Sequence, residues 1–469
     1  NSEVQVEEAK KYFKEAGIET VIKGISSTND IQDTAKSLMS QTEVIFIPTD
    51  NTIVSAINTL VDLSKETKVP VVGSDAGSVE KGVLFTYGTN YEALGRQTGK
   101  LAGRVLRGEK VKDVDAEYPK TLNVVVNHDM AKELGIDVSS ISDEESKAST
   151  QDDKPIAKKD KGVIKLKVNK SSKKGFSNVV LTAISQGLLW AIMAIGVFIT
   201  FRILDLADLT AEGAFPLGAA TTTIMIIRGI NPIFATLGGF VAGMLAGAVS
   251  GFMHTKMKIP ALLTGLYSVN LLVLGSANVS LSGHNTLVTM VMDLGLSKLN
   301  GVILLGLIFV SLVVLMLVVL LNTQVGLALR ATGDNLAMGE ANGIKVDRMK
   351  ILGYMISNGL IALSGALLAQ NNGYADMNMG TGTIVNGLAA IILAEVIVKY
   401  LPLGKRLWSI VVGAVLYRLV LVIILAMNVD AQMLKLASAI LLAIILYVPE
   451  VRQKLKIRPN KSLTPGGDK

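Results

Sequence analysis

Between Val179 and Pro449 the chain is built from apolar stretches too long and too free of charge for a water-soluble fold. Val179–Phe201 carries no charged residue, and neither do Pro232–Met253, Leu299–Leu329 or Ile351–Ala375. A helix needs about 20 apolar residues to cross a hydrocarbon layer about 30 Å thick, and the backbone must satisfy its own hydrogen bonds inside that layer. An all-α, polytopic membrane domain is therefore expected here. Nine crossings are predicted, at 179–201, 211–227, 232–253, 259–281, 302–322, 351–371, 384–400, 407–427 and 431–448.

The averages of 50% hydrophobic and 18% charged residues blend this part with a polar one that precedes it. The break falls near Gly175, so four segments are expected: a soluble domain at 1–140, a linker at 141–175, the membrane domain at 176–458 and a tail at 459–469. The net charge of +7 is uneven, since Lys154–Lys174 holds nine lysines against the single Asp160. Such a run reads as a solvated tether resting on anionic lipid head groups, and no folded basic face with interleaved aromatics points to nucleic acid. With no cysteine, disulfides, thiolate metal sites and cysteine nucleophiles are excluded. His128, His254 and His284 have no ligand spacing and are read as loop residues, so neither a metal nor a cofactor is expected.

The first 140 residues alternate helix and strand patterns. Helices are predicted at Val4–Ala16, Ile31–Met39, Asn51–Ser64 and Tyr91–Leu106, and short apolar strands at Thr20–Ile25, Val44–Pro48, Val69–Ser74 and Val83–Tyr87. That alternation implies an α/β lobe with a parallel, doubly wound sheet, whose ligands bind beyond the carboxyl ends of the strands. Those ends carry Thr49, Asp50 and Asn51, then Ser74, Asp75 and Ser78, then Tyr87 and Tyr91. Asp50, Asn51, Asp75 and Ser78 can each serve as a helix N-cap. Converging on one edge, they also suit a cleft in which a carboxylate holds an ammonium or hydroxyl and a tyrosine stacks on a ring.

VQVEEAKKYFKEAGIE, VIFIPTDNT, PVVGSDAGSVEKGVLFTYGTNYEALGRQTGKLA and NVVVNHDMAKELGI resemble the second lobe of ABC-importer substrate-binding proteins, in the subfamily associated with tryptophan and other aromatic amino acids. The resemblance implies a type I periplasmic-binding-protein-like lobe, one lobe only, that starts inside its first helix and is truncated at its N-terminus.

Three features of the membrane part carry chemistry. In the stretch Phe201–Gly213, Asp205, Asp208 and Glu212 with Thr210 interrupt two apolar runs, the pattern of a discontinuous helix lining a passage, or of a loop at the interface. The polar segment Arg330–Lys350, punctuated by Gly333, Gly339 and Gly343, suggests a short pair of docking helices. Glu395 and Arg418 stand inside consecutive apolar spans and are expected to pair with each other, because a lone charge there is costly. In Gly238–Gly251, small residues recur at helical spacing, which lets helix backbones approach closely in lipid. Basic residues collect in His254–Lys258, Arg330–Lys350, Lys399–Arg406 and Arg452–Lys461; alternate crossings put all four on one side, the cytoplasm, and residues 1–175 outside.

TFRILDLADLTAEGAFPLGAA, GINPIFATL, HTKMKIPALLTG, the run from Gly326 to Gln370 and GAVLYRL resemble permeases of the branched-chain amino acid and ribose type, the partners of such binding proteins. The resemblance implies a bacterial plasma-membrane importer with a permease homodimer and two copies of a separate ATPase. It also implies that Ala337–Asp347, including Glu340, Ala341, Asn342 and Gly343, forms the ATPase-coupling segment. The chain departs from that pattern at Thr264–Leu266, where the fourth span is shortened. No phosphate-binding loop is present, since Gly95–Lys100 has the wrong spacing, so the chain itself is not expected to be an enzyme. An aromatic amino acid is the expected solute; a nucleoside or a sugar fits the same Asp and Tyr positions. An ion-coupled secondary transporter using Asp205, Asp208 and Glu212, and a ligand-sensing receptor, are the alternatives.

Overall fold

The computed structural model describes residues 2–25, 30–89, 91–111, 121–138, 145–147, 176–259, 284–397 and 402–426, with isolated positions outside these ranges. Contacts divide the chain into two compact units, one formed by residues up to 175 and one by those from 176 onward, residues 372–374 excepted.

The first unit runs α1 (Ser2–Glu15), α2 (Ile31–Met39), β1 (Ile45–Ile47), α3 (Asn51–Ser55), α4 (Ile57–Thr67), β2 (Val71–Gly73), α5 (Ala76–Glu80), β3 (Phe85–Thr89), α6 (Tyr91–Leu106), β4 (Thr121–Val126), α7 (His128–Leu134) and β5 (Glu145–Lys147). Strand alternation sets the core: Ile45 and Ile47 are buried, while Phe46 points to the other face and meets Phe13 of α1 edge-on at 6.0 Å. Val71, Val83, Leu84, Ile57 and Leu60 complete that core.

The sheet is mixed, not wholly parallel as expected. β1, β2 and β3 pair in parallel, whereas β3–β4 and β4–β5 are antiparallel. α6 is 16 residues long and residues 107–120 follow it before β4. Such a connection is longer than the few residues that return a chain directly to a parallel neighbour, so its length leaves β4 able to pair antiparallel. The strand expected at Thr20–Ile25 does not form; Val21 and Ile22 are exposed, and a run with so little burial has nothing to hold it to the sheet edge.

The second unit contains α8 (Phe176–Phe198), a π-helical turn (Ile199–Ile203), α9 (Ala211–Ile227), α10 (Pro232–Thr255), α11 (Leu287–Met292), α12 (Lys298–Asn322), α13 (Gln324–Asp334), α14 (Leu336–Ala341), α15 (Val346–Asn372), α16 (Thr383–Ile397) and α17 (Leu403–Ala426). Among the described residues six helical segments are long and apolar enough to cross a membrane, and α9 is a shorter apolar helix. Nine crossings are therefore not confirmed among the described residues; those expected at 259–281 and 431–448 fall mainly outside them, as do the lysine-rich linker, the 459–469 tail and Thr264–Leu266.

The glycine stripe of α10 explains its place. Gly243 and Gly247 lie against the α15 backbone at Asn358 and Tyr354, so close that a Cβ on either would overlap a main-chain carbonyl; at Gly251 a Cβ would fall 2.9 Å from Cα of Ile351. In lipid such close approach supplies the dispersion contacts that hold helices together. The opposite face of α10, with Phe234, Leu237, Val241, Leu245 and Phe252, is exposed, as suits a helix with one side toward acyl chains. α8 and α15 are the central helices, and α8 packs against α12, α16 and α17.

Candidate functional site

In the first unit the three parallel strands deliver their carboxyl ends side by side. Thr49 after β1 and Ser74 after β2 share a hydroxyl–hydroxyl hydrogen bond of 2.9 Å, and the Gln5 side chain accepts from the Thr49 N–H at 2.9 Å. Gly88 on β3 sits so near the Ser74 carbonyl that a Cβ there would come within 2.8 Å of it, which draws the third strand end in beside the second. Tyr87 is half exposed along this edge. The side chains of Asn51 and Tyr91 lie outside the described residues.

Asp50 and Asp75 both cap helices, as their extended backbones allow. They differ in what they keep in reserve. Asp75 commits both oxygens: Oδ1 accepts from the Ser78 N–H at 3.0 Å and Oδ2 from the Ser78 hydroxyl at 2.6 Å. Asp50 caps through Oδ1 alone, from the Thr52 and Ile53 N–H groups at 2.9 and 3.3 Å. Its Oδ2 is the acceptor that this edge offers to a cationic group.

In the second unit the interruption expected around Asp205–Glu212 is a real break. After the π-helical turn the chain runs non-helically through Leu204–Thr210, with Asp205 at φ 53°, and α9 begins at Ala211. Asp205 is exposed. Asp208 is buried, and the hydrogen bonds it accepts come from uncharged groups: the Thr210 N–H at 2.9 Å and the Asn358 amide at 2.7 Å. The Thr210 hydroxyl donates to Ser250 at 3.1 Å. Glu212 accepts from the Gly382 N–H at 3.1 Å, just ahead of α16, where the helix dipole favours a carboxylate.

Sequence reasoning missed the groups around Asp208. Tyr354 and Asn358 are fully buried one turn apart on α15, and the Tyr354 hydroxyl and Asn358 Oδ1 have no hydrogen-bond partner among the described residues. His254, expected in a loop, lies in the last turn of α10 with its ring 6.0 Å from that of Tyr354. His128 likewise opens a helix, α7. A signal for the cluster was present: Ser250 and His254, and Tyr354 and Asn358, are each spaced by four in otherwise apolar helices.

The expected Glu395–Arg418 pair does not form. Glu395 receives Arg202 at 2.5 Å and Arg406 at 2.8 Å. Arg418 instead lies over the Trp190 ring at 4.9 Å and donates to Gln186 at 3.0 Å. The reason is register: the consecutive helices α16 and α17 run antiparallel, so residues meet when about equally far in sequence from the residues that join them. Glu395 therefore meets Arg406, and Tyr417 meets Asn386 at 3.1 Å.

The polar segment Arg330–Lys350 folds as the short helices α13 and α14 and the start of α15. Thr323 and Asn335 cap the two short helices, and Gly343 at φ 75° ends α14 while the Ile344 N–H returns to the Gly339 carbonyl. α14 exposes Leu336, Ala337, Met338, Glu340 and Ala341, followed by Asn342 and Gly343. Asp347 is tied to Lys256 of the α10 end at 2.8 Å. Gly333 of α13 lies directly on the Ile203 carbonyl, where no side chain fits.

Residues 179–449 match the family described as branched-chain amino acid transport system / permease component, and residues 1–148 match ABC transporter substrate binding protein. A tyrosine transport system permease protein of Clostridioides difficile (strain R20291) is 37% identical over 61% of this chain and 96% of its own length. A tyrosine-binding protein of the same organism is 36% identical over 29% of this chain, which spans 39% of that relative. A solved ABC domain in complex with L-Trp from Streptococcus pneumonia has 36% identity over 29% of this chain and 47% of its own, with a TM-score of 0.28.

Proposed function

This chain belongs to the branched-chain amino acid transport permease family, with a substrate-binding-protein region joined ahead of the permease, and from that premise we propose that it imports an aromatic amino acid using ATP hydrolysed by a separate subunit. The observation that carries the reading is the agreement of the two halves: each has a relative named for tyrosine, one a permease and one a binding protein, in one organism. The 1–148 region would receive the solute outside a bacterial plasma membrane. Asp50 Oδ2 would take the ammonium and Tyr87 the ring. The 176–458 region would conduct it, as a pair of these chains seated on two copies of the ATPase.

Asp205, Asp208, Thr210 and Glu212 are assigned to the passage because the chain is non-helical between them and buried polar groups surround Asp208. Ala337, Glu340, Ala341, Asn342, Gly343 and Asp347 are assigned to the ATPase face because α14 offers an exposed, capped knob with apolar Leu336 and Met338 on it. The basic loops set the sides: α13–α15 junctions in the cytoplasm and residues 1–175 outside.

The deciding experiment is uptake of labelled tyrosine and tryptophan into proteoliposomes holding the full chain with a candidate ATPase. ATP-dependent uptake that stops without the ATPase is expected; uptake driven by an ion gradient alone overturns the reading. A second expectation separates the two aspartates. Asp50→Asn keeps a capping oxygen but weakens amino-acid binding about tenfold or more, as loss of a charge-assisted bond does. Asp75→Ala lowers stability by about 1 kcal/mol through loss of the cap. Calorimetric titration and thermal unfolding read the two effects.

A further inference from the structure

We propose that the α16–α17 end of the membrane unit holds the phosphate head group of an anionic phospholipid, on a surface made by Arg202, Lys405 and Arg406 with Trp408 and Val412 above it. Glu395 accounts for only part of the charge gathered there. It accepts one bond from each arginine, at 2.5 and 2.8 Å, so two cations share one carboxylate, and Lys405, next to Arg406 in the chain and exposed, adds a further positive charge. A guanidinium has five N–H donors, and the arginine side chains are 38% and 43% exposed, so donors are left pointing outward. Each guanidinium also lies over an aromatic ring, Arg202 over Phe201 at 5.2 Å and Arg406 over Phe198 at 5.1 Å, which helps to hold it in place. Fixed guanidinium forks suit a phosphate, to which they bond in pairs.

The position of Lys405 and Arg406 makes the same demand. They stand in the first turn of α17, the end of a helix that already carries positive partial charge, and that turn holds no acidic residue. Their mutual repulsion is relieved by an external anion. What identifies the anion as a lipid is the stripe that continues from it. Lys405, Trp408 and Val412 share one face of α17 at helical spacing, and all three are exposed. A cationic end leading into an exposed apolar lane, with a tryptophan where the two meet, matches a head group with its acyl chain and nothing that lives in water alone.

The test is native mass spectrometry of the purified full chain, incubated in detergent with phosphatidylglycerol or phosphatidylcholine. Retention of phosphatidylglycerol over phosphatidylcholine is expected, falling about fivefold for each basic residue removed. Lys405 makes no ion pair among the described residues, and Lys405→Gln is the first variant. Arg406→Gln leaves Glu395 paired with Arg202 and is the second. Trp408→Ala tests the lane, and Arg228→Gln, on an exposed residue after α9, is expected to change nothing. Equal retention of the two lipids, or retention that Lys405→Gln and Arg406→Gln leave unchanged, overturns the proposal. So does displacement of phosphatidylglycerol by millimolar inorganic phosphate, which would mark a free-anion site. A melting temperature for each variant keeps loss of binding distinct from loss of fold.

Discussion

Gly247→Leu is expected to cost the membrane unit about 3 kcal/mol or more, because the added side chain has no volume to enter. The Tyr354 main-chain carbonyl occupies the place its Cβ would take, and a backbone cannot swing aside as a side-chain end can. α10 and α15 must separate, and the contacts at Gly243 and Gly251 open with them. Thermal unfolding in detergent measures the loss. Val249→Leu, two residues away on the exposed face of the same helix, is expected to leave the midpoint where it was. Equal behaviour of the two variants would show that the stripe does not set the packing.

The second large effect falls on transport alone. Met338 is 66% exposed on α14, held out by the Asn335 cap and the turn at Gly343. Met338→Asp puts a charge at the centre of the proposed ATPase face, where burying it unpaired weakens association by about 2 kcal/mol or more, some thirtyfold in affinity. ATP-driven uptake is expected to fall accordingly, while amino-acid binding and the melting temperature stay as they were. Full uptake by the variant would take the ATPase off this helix.

The long periodic elements were legible in the sequence for a plain reason: local spacing is enough to place them. Ile31–Met39, Tyr91–Leu106 and Ala211–Ile227 are helices over the residues predicted. The close approach along Gly238–Gly251 was legible too, since small residues at helical spacing have few other uses in lipid. What failed depends on partners. The direction of β4 shows only in its pairing with β3, not in its own residues, so a parallel sheet is expected where a mixed one forms. Glu395 was assigned to the opposite charge on the next span without regard to register, although its distance from the residues joining the two helices points to Arg406. Tyr354 and Asn358 carry no charge to mark them in an apolar run; only the fold shows Asn358 bonded to Asp208 and Tyr354 buried one turn away.

The contact between Gly333 and the Ile203 carbonyl has a mechanical meaning. Two backbones in such close touch cannot slide independently, so a displacement of α13 is passed to Ile203, the last residue before the chain loses its helical ladder. Beyond that point Leu204–Thr210 lacks the regular ladder of a helix and is held by the bonds of Asp208 and Thr210 described above. A displacement passed through this contact thus reaches a non-helical stretch, as a crank's reaches its pivot.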